Sequence, residues 1–147
     1  MLLTGILHDG TKTTRPGELE ALAKALNMKY SDTFEHIPVQ FEHSTLNSMS
    51  SFSLSILSLE DIKTRAVSES VGYLQDAFLC GGKLYIRVKI NTGVSIDTKY
   101  RSFSYGTVNI FDDKSHPCVY PIEISLVSTP ARSGAFITTC PNLKKQM

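Results

Sequence analysis

The stretch VGYLQDAFLCGGKLYIRVKI, Val71 to Ile90, constrains the fold more than any other part of the chain. Leu84, Ile86, Val88 and Ile90 alternate with Tyr85, Arg87 and Lys89. That period of two marks a strand with one buried face and one solvated face. Gly81-Gly82 lies at the centre and supplies the positive φ of a tight turn, so the segment reads as a β-hairpin.

Other segments extend the pattern. Leu2 to Leu7 reads as a short strand, closed by the turn signal HDGT. In HIPVQFEHS, Ile37, Val39 and Phe41 share one face, and His43 is the next residue on that face. RSFSYGTVNIF and VYPIEISLVS are two further strands joined by a DDKSHP turn, and AFI is a last apolar stub. RPGELEALAKALN instead has helical spacing, with Leu19, Leu22, Ala23 and Leu26 on one stripe. Pro16 suits the first turn of that helix, Glu18 and Glu20 complement its dipole, and Asn27 is a stop. Residues 44 to 70 hold a strand-like piece around Phe52 to Leu59 and a polar piece around Glu60 to Ser70, read as a short helix or loop. The expectation is one α+β domain over residues 1–147: a small, mostly antiparallel β-barrel with flanking helices, and an inserted arm at 44–70.

Composition narrows the function. The net charge of +1 offers no electrostatic case for nucleic acid or an anionic membrane. Cys80, Cys118 and Cys140 are odd in number and far apart, which fits a reducing compartment better than a disulfide framework. No Cys-x-x-Cys or His-x-x-x-His spacing points to zinc, and the nearby pair His116 and Cys118 has no second pair. No metal and no cofactor are expected. MLLTGILHDG lacks the basic region and cleavage site of a secretory signal, and no apolar run reaches the ~20 residues of a membrane helix. A soluble, intracellular protein is expected.

One residue stands out against this background. Glu123 lies between Ile122 and Ile124 in PIEISLVSTPA. Either the strand has a wet face and Glu123 points into water, or Glu123 points into a site and orients a base.

Four pieces, in order, resemble the prohead proteases of tailed phages, a family related to herpesvirus assemblin. A helix leads into an apolar strand ending in His, here ELEALAKALN…IPVQFEHS. The hairpin VGYLQDAFLCGGKLYIRVKI follows, then FSYG, Phe103 to Gly106, and then EISLVSTPA, Glu123 to Ala131. The resemblance runs from about Glu18 to Ile137. It implies a herpesvirus-protease-like fold and a serine protease with His43 as base, Ser104 as nucleophile and Glu123 as orienting carboxylate. The chemistry needs these residue types. A serine hydroxyl must lose its proton to a neighbouring imidazole before it attacks an amide. A buried carboxylate then holds the tautomer and stabilises the imidazolium. Oxyanion donors are expected from the loop holding Arg132, Ser133 and Gly134.

Period two places Ser104 with Val108 and Ile110, and Glu123 with Val119 and Val127, as at a barrel wall. Ser102 is the alternative nucleophile, two residues away on the same face, and His116 is a rival third member. Each assignment has a plainer counterpart: a solvent-facing His43, a packing Ser104, an exposed Glu123.

The resemblance further implies major capsid protein and scaffold protein as substrates, a homo-oligomer, and a place inside the procapsid or virion after host-cytoplasmic assembly. No nucleic acid or membrane partner is implied. Two features depart from the family: the insertion at 44–70 beside the base, and an end only ten residues after Ile137, where a complete precursor would carry a longer tail. They leave a second function open, an inactive protease-fold protein with a minor capsid, decoration or scaffold-associated role.

Overall fold

The computed structural model describes residues 1–11, 16–50, 57–111, 117–130 and 134–137. Gly81 and Gly82 adopt φ of 59° and 77°, as the two-residue turn requires. They join β3 (Gly72–Cys80) to β4 (Lys83–Ile90), with Cys80 opposite Lys83. All four alternating apolar residues of β4 are buried. On its outer side, Arg87 forms a two-toothed ion pair with Asp76 and lies over the Phe78 ring.

Strands add on both sides of this hairpin. β1 (Leu2–His8) pairs antiparallel with β4, and the two-residue β7 (Phe136–Ile137) pairs with β1. On the other side, β2 (Pro38–Phe41) meets β3 only at Pro38–Tyr73 and Val39–Gly72. β2 then runs parallel to β6 (Pro117–Val127), which pairs antiparallel with β5 (Ser102–Phe111). The order is β5-β6-β2-β3-β4-β1-β7, with one parallel pairing among antiparallel ones. The mixed sheet curls so far that Ile137 N–H of β7 donates to the Arg101 carbonyl, just ahead of β5 (2.8 Å). The molecule is thus an α+β fold built on a curled sheet. Among the described residues no helix is long and apolar enough to cross a membrane.

The concave face holds the main core. Val39, Leu74, Ile86, Val88, Phe103, Ile124 and Leu126 are buried together there, each contributing about 1.5–3 kcal/mol by leaving water. Helix α1 (Glu18–Asn27) adds Ala23 and Leu26. It starts two residues later than Pro16 suggested, because Gly17 is its cap in the left-handed region (φ 78°) and Pro16 precedes that cap. Asn27 ends the helix and has a second task. Its side-chain amide donates to the Ala77 carbonyl and accepts from the Ala77 N–H, both at 2.8 Å. The amide stands where a neighbouring strand would otherwise pair with β3.

A second, smaller core lies on the convex face. Met49, Ile62, Ala66 and Ile122 meet there, with Leu46, Leu57, Leu59 and Val108 against them. It is roofed by α2 (Ser44–Asn47) and α3 (Leu59–Ser68). The polar piece from Glu60 is therefore a helix, one of the two readings its sequence allowed, and Ser44–Asn47 is a further short one. Residues 52–56 of the expected strand-like piece lie outside the described residues, and Leu59 opens a helix. The reason is local: Ser58 accepts from the Asp61 N–H (3.1 Å), and Glu60 and Asp61 occupy the first turn.

A β-bulge explains why Ile122 packs on this side. Gly106 pairs with Glu123 but Thr107 pairs with Pro121, so Ile122 is the extra residue. Ile122 belongs to the convex core although it has the same parity as Ile124 of the concave one. The bulge also overturns the expected alignment of Val119 with Glu123. Val119 is 60% exposed, while Glu123 and Val127 are buried.

Asn27→Leu should expose the cost of the open β3 edge. It leaves the Ala77 N–H and carbonyl unmatched, and a loss of about 1–3 kcal/mol is expected per group so stranded. Urea unfolding would show it as a lower midpoint with an unchanged slope.

Candidate active site

The convex face of β5 and β6 carries the polar residues. Ser104 lies directly opposite Ser125, and Gly106 opposite Glu123, so Ser104 and Glu123 are diagonal neighbours. Glu123 is 0% exposed, which excludes a wet-face role. Gly106 makes room for it. A Cβ there would come within 2.1 Å of Glu123 Oε1 and 2.6 Å of Leu46 Cδ1.

His43 arrives from the parallel strand by a turn, not by the strand continuation expected from period two. β2 ends at Phe41, which faces the concave core and stacks on Tyr100. Glu42 and His43 then both adopt the left-handed region, φ 53° and 52°. For such residues this costs on the order of 1–3 kcal/mol apiece and needs support from the surroundings. The support is visible. Glu42 N–H donates to the Leu126 carbonyl (3.0 Å), and Glu42 Oε1 accepts from the Ser128 N–H and hydroxyl (2.9 and 3.0 Å). His43 N–H donates to Ser125 Oγ (2.9 Å). Beyond the turn, buried Gln40 receives the Thr45 N–H (3.2 Å) and donates to Thr45 Oγ1 (2.6 Å) and the Ala66 carbonyl (2.9 Å). Gln40 thereby ties β2 to both roof helices.

The turn swings the imidazole across to the convex face. His43 Nδ1 lies 2.5 Å from Glu123 Oε1, and His43 Nε2 lies 3.0 Å from Ser104 Oγ. With Glu123 ionised, Nδ1 carries the proton and Nε2 is free to accept the Ser104 O–H. The hydrogen bond to Glu123 pushes the His43 pKa above its ordinary value, helped by the charges of Glu123 and Glu42 and opposed by burial. The His43 side chain remains 25% exposed at the surface end of the triad.

Three residues named from the sequence therefore converge: His43, Ser104 and Glu123. Ser102 does not join them. It lies opposite Val127, and both nitrogens of the imidazole are already engaged by Glu123 and Ser104. Arg132, Ser133 and His116 lie outside the described residues. Gly134 is described, and it packs against Asp9: a Cβ on it would sit 1.8 Å from Asp9 Oδ2. Among the described residues no cluster of His, Cys, Asp and Glu could hold a metal. Sequence reasoning missed four contributors: Ser125, Gly106, Gln40 and Glu42. All four were in view, since IPVQFEHS contains Gln40 and Glu42, FSYG contains Gly106 and EISLVSTPA contains Ser125.

Neither a protein-family model nor a curated protein matches this chain.

Gly106→Ala should disturb the site while leaving His43, Ser104 and Glu123 all in the sequence. The added methyl would displace the Glu123 carboxylate, and the His43 pKa should fall toward the ordinary imidazole value. Histidine-selective NMR titration would read the shift. The linkage has a definite sign. The raised pKa stabilises the fold below the unfolded imidazole value, and this contribution is lost as pH rises through the folded value. Gly106→Ala should flatten that dependence.

Proposed function

We propose that this chain is a serine endopeptidase of the capsid-maturation kind, with a Ser104–His43–Glu123 triad on a herpesvirus-protease-like barrel. The observation that carries the reading is the pair of contacts from one imidazole, 2.5 Å to a fully buried carboxylate and 3.0 Å to a serine hydroxyl. The ordered resemblance to prohead proteases supplies the substrate class. The substrates would be scaffold protein and the N-terminal segment of the major capsid protein, cleaved inside the procapsid.

The chemistry follows from the geometry. Ser104 Oγ attacks the scissile carbonyl carbon while its proton passes to His43 Nε2. The imidazolium so formed is stabilised by Glu123 through Nδ1–H. Collapse of the tetrahedral intermediate expels the amine, which takes the proton from Nε2, and leaves an ester on Ser104. Water then hydrolyses the ester, with His43 first accepting its proton and then returning one to Ser104. Backbone donors for the oxyanion are assigned to the loop of Arg132, Ser133 and Gly134, as the resemblance implies. The roof over the site, α2 and α3, falls within the segment that departs from the family, and in this reading it is the part that would grip substrate or a partner.

One observation favours the second reading, an inactive relative with a structural capsid role: Ser104 is only 7% exposed. Fluorophosphonate labelling, read by peptide mapping, separates the two. Labelling of Ser104 that disappears in Ser104→Ala and in His43→Ala supports the protease. A folded protein that stays unlabelled at low and high concentration, and also in assembled procapsids, supports the structural role.

The pH dependence has a fixed direction. The base must be neutral, so labelling should rise with pH through a midpoint above the ordinary value of about 6.5. Glu123→Gln should lower turnover by roughly 10⁴-fold, as loss of the orienting carboxylate does in serine proteases generally.

A further inference from the structure

Ser125 takes no part in the chemistry above, yet its hydroxyl is committed to the triad on both sides. It is fully buried and lies directly opposite Ser104. Its O–H donates to Glu123 Oε2, and its oxygen accepts the His43 backbone N–H at 2.9 Å. Glu123 Oε1 in turn holds His43 Nδ1. These bonds close a ring that leaves His43 by its imidazole and returns to it by its own amide.

We infer that Ser125 is a positioning residue of the triad, acting through the Glu123 carboxylate and the His43 backbone; the step rests on the reading of His43 as the base. A carboxylate held at one oxygen can still turn about its last torsion, which is broad for Glu. The second bond, at Oε2, removes that freedom and keeps Oε1 on Nδ1. The same hydroxyl supplies a donor to an oxygen that would otherwise be buried without one. The bond to the His43 amide also supports the left-handed turn that aims the ring. Ser125 cannot replace Ser104 as nucleophile, because its proton is directed at Glu123 and the imidazole has no nitrogen to spare.

Without the hydroxyl, Glu123 Oε2 has lost its donor and the carboxylate should turn from the ring. That change removes the main cause of the raised His43 pKa. The charged groups that act on the ring are Glu123 from β6 and Glu42 from its own turn, and Ser125 touches only the first.

Ser125→Thr and Ser125→Val give the test. Both are branched, strand-favouring and of nearly equal volume, so they load the packing alike and differ by the hydroxyl. In NMR titrations, Thr should keep the wild-type His43 midpoint, and Val should drop toward the ordinary imidazole value. Fluorophosphonate labelling of Ser104 should fall roughly 10²-fold in Val, the scale expected when a reacting group is misplaced by about 1 Å. Equal titrations in the two variants would overturn the proposal. Should neither variant fold, the unmodified protein still decides. The His43 amide lies outside every helix and strand, and it should nonetheless exchange slowly with solvent. Exchange at the rate of an open turn would overturn the role. The titration reads Ser125 whether or not Ser104 reacts, so an unlabelled wild type counts against the proposed function alone.

Discussion

The Glu123 carboxylate is the constraint around which the site is built. A charge with no exposure is strongly disfavoured unless its oxygens are met by donors. Here one oxygen is met by an imidazole N–H and the other by the Ser125 hydroxyl. The glycine opposite leaves the space that the carboxylate fills. Ordinary packing features thus become conditions on one ionised group. The bulge at Ile122 turns an apolar side chain into the convex core beside it, and Leu46 from the roof helix closes over it.

The two faces of the curled sheet divide the labour. The concave face is apolar and holds the strands together, with α1 docked on it through Leu26 and the Asn27 amide. The convex face of β5 and β6 carries Ser104, Gly106, Glu123 and Ser125, and a small second core anchors the helices that roof it. β2 connects the two. It packs Val39 into the concave core, buries Gln40 on the other side, and then delivers His43 by its turn. A rigid sheet and a well-tied turn suit a site whose contacts must hold to fractions of an ångström.

Much of this was legible in the sequence, for reasons that can be named. The hairpin at Gly81-Gly82 was plain because turn chemistry and period two agree there. The members of the triad came from the order of four motifs, not from any one of them. Three things were hidden. A left-handed Glu42–His43 turn has no signature in non-glycine residues, since it exists by virtue of bonds from Ser125, Leu126 and Ser128. The bulge at Ile122 depends on the ladder with β5, and it defeated the parity argument for Val119. The strand-like reading that ran to Leu59 fails at that residue, where the Ser58 cap with its acidic first turn starts a helix.

The parallel pairing of β2 with β6 has a temporal meaning. His43 is separated by 61 residues from Ser104 and by 80 from Glu123, and such contacts reward the chain only after long loops have closed. A chain still emerging from the ribosome holds the base long before it holds the strand that orients it. Until β6 is in place beside β2, the imidazole has neither its carboxylate nor the hydroxyl that fixes its turn. On the proposed protease reading, the chain would stay inert during synthesis, its competence arriving with the last long strand.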